Sequence, residues 1–335
     1  MKKLAVLMPT YNCAKYLQES IDSILNQTYS DFDFYIYDDC STDNTIQVIS
    51  GYSDKRIIYI KNFENFGIAK TLNLGFEKLL PSYQYIARMD ADDWSFPERF
   101  QRQIDYLERN KEVVMCGTQG YCLKNMNDNP ISAWEYPFKN DYIKYYLLFS
   151  ATFHHQSIVF RSEFLIRTHL RYDETIQTCE DWDFWTHIVK EGNVVNLPNF
   201  LLKCRVLPNS NHRSPENKNK HIKERSKIIS RYWADFNIIL SVDEVYEYYY
   251  GNKLLSSADF IKKIKFLIIQ FNTLYLKELQ MDPDDRKKFR YLLARRILSY
   301  WKRSTVNRFN PLIWFVIIKE VKFMSKIRLI KSLIR

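Results

Sequence analysis

The chain has 335 residues, 46% of them hydrophobic and 26% charged, with 24 Tyr, 22 Phe and 7 Trp against only 7 Gly. This composition can bury a substantial core and excludes a low-complexity or disordered polymer; the length suits one large domain or two. The net charge of +10 is concentrated near the end, where residues 286–335 carry fifteen Lys and Arg against one acid, Glu320, a net +14 that leaves −4 for residues 1–285.

Six cysteines (Cys13, Cys40, Cys116, Cys122, Cys179 and Cys204) include no CxxC pair. That pattern speaks against a zinc site or a disulfide framework and for a reducing compartment. At the start, Met1, Lys2 and Lys3 precede a short apolar run, but Pro9, Thr10, Tyr11 and Asn12 end it before it reaches signal-peptide length. No apolar run reaches the roughly 18 residues a spanning helix needs, so a cytosolic protein is expected.

Residues 4–8 (Leu-Ala-Val-Leu-Met) form a continuous apolar run, the mark of a strand buried on both faces. Tyr16, Leu17, Ile21, Ile24 and Leu25 then recur at helical spacing. A second strand over residues 32–37 ends at Asp38 and Asp39, and Ser41 or Thr42 can cap the helix carrying Ile46 and Ile49. Residues 57–60 read as a third strand, and Asn65-Phe66-Gly67 turns into a helix with Leu72, Leu74, Phe76 and Leu79. A fourth strand covers residues 83–89; Pro97 opens the next helix, with Phe100, Ile104 and Leu107, in the favoured first turn. A fifth strand begins at residues 113–116. This alternation implies right-handed crossovers and an α/β fold, a mostly parallel, doubly wound sheet with helices on both faces.

After about residue 125 the alternation fades. A helix over 142–149 leads to His154, His155 and Ser157, then the apolar Ile158, Val159 and Phe160 and the cation Arg161. Glu180, Asp181 and Asp183 open a helix ending near Gly192, a place where acids are favoured for dipole reasons alone. Residues 194–197 and 201–205 look like two short strands, and residues 209–220 like a loop or linker. Beyond 220 the pattern is helical, with Ile261, Ile264, Ile268, Phe271 and Tyr275 on one face.

Ligands of such sheets lie at the carboxyl ends of the strands, where three polar clusters fall in this reading: Thr10 with Tyr11, Asp38 with Asp39, and Asp90, Asp92 and Asp93. Three carboxylates within four residues repel one another unless something positive joins them. A hard divalent cation, Mg²⁺ or Mn²⁺, sharing its shell with phosphate oxygens, is the usual partner; a solvated acidic turn is the plainer alternative.

Taken together the motifs resemble the inverting nucleotide-sugar glycosyltransferases of the GT-A fold, glycosyltransferase family 2, over roughly residues 4–205. They are Pro9-Thr10-Tyr11-Asn12, Asp38-Asp39-x-Ser41-x-Asp43-x-Thr45, Asn65-x-Gly67 with Asn73, Ala87-Arg88-x-Asp90-x-Asp92-Asp93, Pro97-x-Arg99-Phe100-x-x-Gln103, His155-x-Ser157 before Arg161, and Glu180-Asp181. The resemblance implies a nucleotide-sugar site formed by Pro9, Tyr11, Asp39, Asn65, Arg88, Asp90 and Ala91. In it Tyr11 stacks on the nucleobase, Asp39 accepts the uracil N3–H, and Asp90 lies near the ribose or donor sugar. It implies Mn²⁺ or Mg²⁺ on Asp92 and Asp93, and Asp181 as the general base, with Glu180 and Asp183 as rivals. His155, Glu180 and Trp182 are candidates for acceptor or metal contact, and His155 could equally be a structural histidine. The sugar pocket draws on separate segments, with Arg88, Trp134, His155 and Trp182 as candidates. One departure stands out: many family members carry a His two residues after the arginine matching Arg205, and here that position is Leu207, with His212 further on.

The expected organisation is a GT-A catalytic domain over residues 1–215 and a basic, mostly helical region over 216–335. Residues 311–335 combine Leu312, Ile313, Trp314, Phe315, Val316, Ile317 and Ile318 with six cations, which suits a peripheral anchor on an anionic inner membrane face. A contact between copies of the chain, a homo-oligomer, is the alternative. Nucleic acid is not expected, because no binding motif accompanies the charge. The function expected is transfer of a hexose or N-acetylhexosamine from a UDP-sugar to a glycan or lipid-linked acceptor, in cell-surface polysaccharide or lipooligosaccharide synthesis. Two other readings compete. A nucleotidyltransferase would want a glycine-rich phosphate loop, and residues 9–16 hold no Gly. A non-catalytic nucleotide-sugar or membrane-surface binding protein would not need the acids Asp90, Asp92, Asp93 and Asp181.

Overall fold

A computed structural model describes residues 3–126, 128–207, 215–250, 262–263, 266, 282–289, 292 and 299. They belong to two compact units, Met1–His221 and Ile222–Arg335. The predicted anchor at 311–335, His212 and the apolar face of Ile261, Ile264, Ile268, Phe271 and Tyr275 lie outside the described residues. Among the described residues, no helix is long and apolar enough to cross a membrane.

The first unit is built on a mixed sheet. Strands β1 (Leu4–Thr10), β2 (Phe32–Asp38), β3 (Ile57–Lys61) and β4 (Tyr85–Arg88) run parallel in the order β3-β2-β1-β4. Helices α1 (Ala14–Leu25), α2 (Thr45–Ser50) and α3 (Ile68–Leu79) make the crossovers. Every residue of β1 is buried, as its unbroken apolar run predicts. Alternation along the strand divides the core: Leu4, Val6 and Met8 join Leu17, Ile21 and Ile24 of α1, whereas Leu7 lies against Gly75 of α3. Each large side chain buried this way contributes about 1.5–3 kcal/mol.

The second half departs from the parallel pattern. Its strands are β5 (Trp94–Ser95), β6 (Val113–Leu123), β7 (Ser132–Trp134), β8 (Val159–Arg161) and β9 (Asn193–Arg205), and its helices α4 (Arg99–Arg109), α5 (Asn140–Tyr146), α6 (Ser162–Thr168) and α7 (Glu180–Glu191). Strand β8 lies antiparallel between β4 and β6, β6 and β9 are parallel, and β5 and β7 pair antiparallel with β9 and β6. The two strands expected over 194–205 are one, whose pairing with β6 shifts register near Gly117 and Gln119. Pro97 precedes α4 instead of occupying its first turn, with Glu98 between as N-cap. The helix expected over 142–149 begins and ends earlier, as α5.

The boundary between the units falls inside α8 (Pro215–Ala234), which is followed by α9 (Val242–Tyr250). In the second unit Trp233 is fully buried and meets Tyr248 edge-on at 5.7 Å.

Candidate active site

Parallel pairing brings the carboxyl ends of β2, β1 and β4 side by side, with Thr10 opposite Asp38 and Leu7 opposite Arg88. The loops after β1 and β2 clasp each other. Asn12, at φ 51°, accepts the amides of Thr42 (2.8 Å) and Asp43 (3.3 Å) on Oδ1, while its own N–H donates to Ser41 Oγ (3.0 Å). Asp43 Oδ2 accepts the Ala14 amide at 3.1 Å, and its Oδ1 accepts the amide and hydroxyl of Thr45. The start of α2 therefore rests on Asp43, not on a Ser41 or Thr42 cap. Desolvation works against the Asp43 charge, but these hydrogen bonds outweigh it and hold the carboxyl below its usual range.

Beside the clasp, Tyr11 is 47% exposed, so it is no core aromatic, whereas Pro9 is buried in β1. Asp39 is buried and accepts three hydrogen bonds: Asn62 Nδ2 (2.8 Å) and the Phe66 amide (2.9 Å) on Oδ1, and the Gly67 amide (2.8 Å) on Oδ2. Gly67 presents that amide from φ 83°, a conformation that favours glycine. A carboxylate offers about four acceptor positions, so Asp39 keeps one, on Oδ2. Asn65 is exposed in the same loop.

The acidic loop after β4 is braced from below. Arg99 is fully buried; its Nη2 donates to Arg88 O at 2.7 Å and its Nε to Gln103 Oε1 at 3.1 Å. Gln103 Nε2 donates in turn to the carbonyls of Cys116 (2.6 Å) and Ser157 (2.8 Å), and Ser20 Oγ binds the Asp93 carbonyl at 2.6 Å. Above this brace, carboxylate oxygens of Asp90, Asp92 and Asp93 lie within 4.8 Å of one another, with Ala91 buried between. Asp93 uses both its oxygens, accepting Gln156 Nε2 at 2.5 Å and the Arg205 amide at 2.6 Å. The side chain of Asp92 takes no bond from another described residue. Burial, then the charge of Asp90, pushes the Asp92 carboxyl up to about 6. Burial, then Asp92 and Asp90, raises Asp93 well above the usual carboxylate range.

Arg88 pairs with Asp90 of this cluster and lies within electrostatic range of a second pair of acids. Its side chain is 2% exposed and its Nη1 lies 2.5 Å from Asp90 Oδ2, while its Nε has no hydrogen-bond partner among the described residues. Burial opposes its charge, but Asp90, with smaller help from Tyr172 and Glu180, outweighs it. Glu180 and Asp181 open α7, as the sequence predicts. Burial, then the charge of Asp181, pushes Glu180 upward; burial also raises Asp181, against the opposing amide of Trp182, 2.6 Å from Oδ1. Environments that push neighbouring acids apart separate proton holder from proton acceptor. Both acids are held above the usual carboxylate range, Glu180 with the charge of Asp181 added to its burial and Asp181 with the Trp182 amide opposing its own.

His155 Nε2 is 2.8 Å from the Tyr172 hydroxyl and its Nδ1 3.9 Å from Glu180 Oε1. Burial, with Arg88 nearby, holds its pKa well below the ordinary value, so the ring is neutral. It stands apart from the acidic triad. Trp182 is 5% exposed and its indole N–H donates to Leu147 O at 3.1 Å. Sequence reasoning passed over Tyr172 and Gln156. Asn73 was flagged without a role, and its amide holds both the N–H and C=O of Tyr172 at 3.0 Å.

A profile of glycosyl transferase family 2 matches residues 5–169. An uncharacterised glycosyltransferase of Haemophilus influenzae is 30% identical over 271 residues, an alignment covering 76% of this chain and 83% of that protein. The chain belongs to glycosyltransferase family 2. This family 2 chain is also 34% identical over 220 residues to the O-antigen biosynthesis glycosyltransferase WbnJ of Escherichia coli, covering 63% of the chain and 82% of that protein. Among solved structures, Staphylococcus aureus TarS 1-349 in complex with UDP-GlcNAc is similar at a TM-score of 0.55 and 18% identity, covering 89% of both chains. The fold is GT-A, α/β with C-terminal helices.

The acidic loop of this family 2 glycosyltransferase suits a divalent metal. Its donors are hard carboxylate oxygens, they converge, and their mutual repulsion and burial raise Asp92 and Asp93, an instability that a cation relieves.

Proposed function

We propose that this glycosyltransferase is metal-dependent and inverting, and moves a hexose or N-acetylhexosamine from a UDP-sugar to a hydroxyl of a glycan or lipid-linked acceptor. The observation that carries this reading is the acidic triad at the end of β4, with the buried guanidinium of Arg88 paired to its Asp90; the Glu180–Asp181 pair at the start of α7, within electrostatic range of that guanidinium, supports it. The UDP-GlcNAc bound by the TarS relative supports the donor class, and the O-antigen relative supports cell-surface polysaccharide or lipooligosaccharide synthesis.

The exposed ring of Tyr11 stacks on the base, and the spare Oδ2 position of Asp39 accepts the uracil N3–H, with Pro9 and Asn65 flanking. Asp90 and Arg88 face the ribose and donor sugar, and Ala91 lets the chain pass close to them. Asp92, with Asp93, would hold Mn²⁺ or Mg²⁺, which when bound neutralises charge collecting on the leaving diphosphate, worth several kcal/mol. The acceptor hydroxyl attacks C1 from the face opposite the diphosphate and its proton passes to ionised Asp181. The C1–oxygen bond breaks, UDP leaves, and one displacement inverts the anomeric carbon. Glu180 stays protonated beside the base, and neutral His155 with Tyr172 fixes its place. The catalytic domain spans residues 1–215. The basic region 216–335 carries contact with an anionic membrane, through residues 311–335 at the cytoplasmic face, at about 1 kcal/mol per cation near the surface.

The test is UDP release by the full chain from a panel of UDP- and GDP-sugars with membrane extract as acceptor source. Release from a UDP-sugar that stops on adding EDTA and resumes with Mn²⁺ is expected. Pyrophosphate release, or no nucleotide binding with or without metal, would overturn the reading.

A further inference from the structure

Strand β7 pairs with β6 so that Trp134 lies opposite Gly120. A Cβ at Gly120 would come within 3.0 Å of His154 Nε2, so the glycine leaves the room this imidazole occupies. The Trp134 indole stacks on that imidazole, with ring centroids 5.4 Å apart and planes 4° from parallel. Tyr136 meets the same imidazole edge-on at 4.9 Å. Its backbone is pinned, since its N–H donates to Gln119 Oε1 at 2.7 Å and its carbonyl accepts from Gln119 Nε2 at 3.4 Å. Aromatic cover over a strand glycine is a known way to firm up a sheet edge, and that alone accounts for the stack. It does not account for the exposure that remains, 39% for Trp134 as a residue.

The platform lies close to the acids of the site. His154 directly precedes His155, whose Nδ1 is 3.9 Å from Glu180. His154 Nδ1 is also 3.5 Å from Cys204 Sγ, which accepts Gln156 Nε2 at 3.1 Å, and the same amide donates to Asp93, so the platform backs onto the acidic loop. The Tyr136 hydroxyl makes no hydrogen bond among the described residues. A partly exposed indole stacked on one imidazole, beside a hydroxyl with no bond to a described residue and close to the acidic loop, matches the two sides of a pyranose. The ring's C–H face suits the electron-rich indole, and its rim of hydroxyls suits Tyr136.

We infer that Trp134, with Tyr136 beside it, is the subsite on which a sugar ring of the acceptor stacks, so that the acceptor is recognised as a carbohydrate next to its reacting hydroxyl. This rests on the transferase reading above. A lipid chain or a second copy of the protein is the competing occupant.

Saturation-transfer NMR on the full chain with UDP and Mn²⁺ tests it, using methyl β-D-galactopyranoside, chitobiose and octyl β-D-glucopyranoside as probes. Saturation of ring C–H protons in at least one probe is expected, about tenfold weaker binding in Trp134→Ala, and substantial retention in Trp134→Phe, which keeps an aromatic face and guards against a misfolded variant. Stabilisation by UDP should be unchanged in both. No ring saturation in any probe, equal saturation in Trp134→Ala, or saturation confined to the octyl chain would each overturn the inference. So would sedimentation showing a dimer that Trp134→Ala dissolves. UDP stabilisation in the same wild-type samples separates the two readings: its presence without ring saturation sinks the subsite alone, and its absence sinks the donor site beneath it.

Discussion

Replacing Asp92 by Asn should make the protein more stable without metal and blind to it. Burial and the neighbouring Asp90 push the Asp92 carboxyl up to about 6 from an ordinary 3.8. At about 1.36 kcal/mol per unit, keeping it ionised at neutral pH costs the empty site at most about 3 kcal/mol. Solvent reaches part of the side chain, so about 1–3 kcal/mol is the working range. Asn removes that cost, and in a domain of this size each kcal/mol moves the melting midpoint by about 2–4 °C. The sign follows from an acid whose folded pKa is raised: the cost is absent below 3.8, grows as pH rises toward about 6, and is complete above. The advantage of Asp92→Asn should therefore vanish near pH 4. With Mn²⁺ at about a hundred times its dissociation constant, the wild type gains about 2.7 kcal/mol and the variant gains little, so their order inverts. Differential scanning fluorimetry of both proteins, with EDTA and with Mn²⁺, at neutral pH and near pH 4, reads all of these states. A variant that melts below wild type in EDTA, yet still gains with Mn²⁺, would refute the electrostatic account of this loop.

Three further outcomes are expected. Asp181→Asn should lower turnover about 10²–10⁴-fold with UDP affinity nearly unchanged, and full turnover would move the base to Glu180 or Asp183. Gln103→Leu strands the Cys116 and Ser157 carbonyls and Arg99 Nε, which should cost about 3 kcal/mol or more in urea unfolding; a loss well under 1 kcal/mol would mean the brace is dispensable. Burial depresses the His154 pKa from 6.5 to about 4, so its share of stability is whole above pH 6.5 and fades as pH falls toward 4, by up to about 3 kcal/mol. Urea midpoints across that window should fall less steeply in His154→Phe than in wild type, and parallel slopes would contradict this.

The parallel half of the sheet was legible because β1 is buried on both faces and opens on an unbroken apolar run, and β2 is apolar from Phe32 to Tyr37 but for the half-buried Asp33. The acidic loop, the Tyr11 turn and the start of α7 followed from that register. What could not be read were partners set by long-range geometry. Nothing local tells that Gln156 and the Arg205 amide would converge on Asp93 from 63 and 112 residues away. Strand β8 hid because three residues between β4 and β6 carry no directional signal, and β5 because two residues carry no period at all. Several motif residues turned out to be braces: Asn73 holds Tyr172, Arg99 and Gln103 tie the β4 end to β6, and Asp43 tethers two loops. Residue type alone does not distinguish such a tether from a ligand contact.

The clasp through Asn12 has a practical bearing on redesign. Since one amide side chain anchors Thr42 and Asp43 to the turn that carries Tyr11, the segments 9–14 and 38–45 form a single cassette. Transplanting either loop from a related enzyme will need both pieces moved together, because either one alone arrives without its fastener.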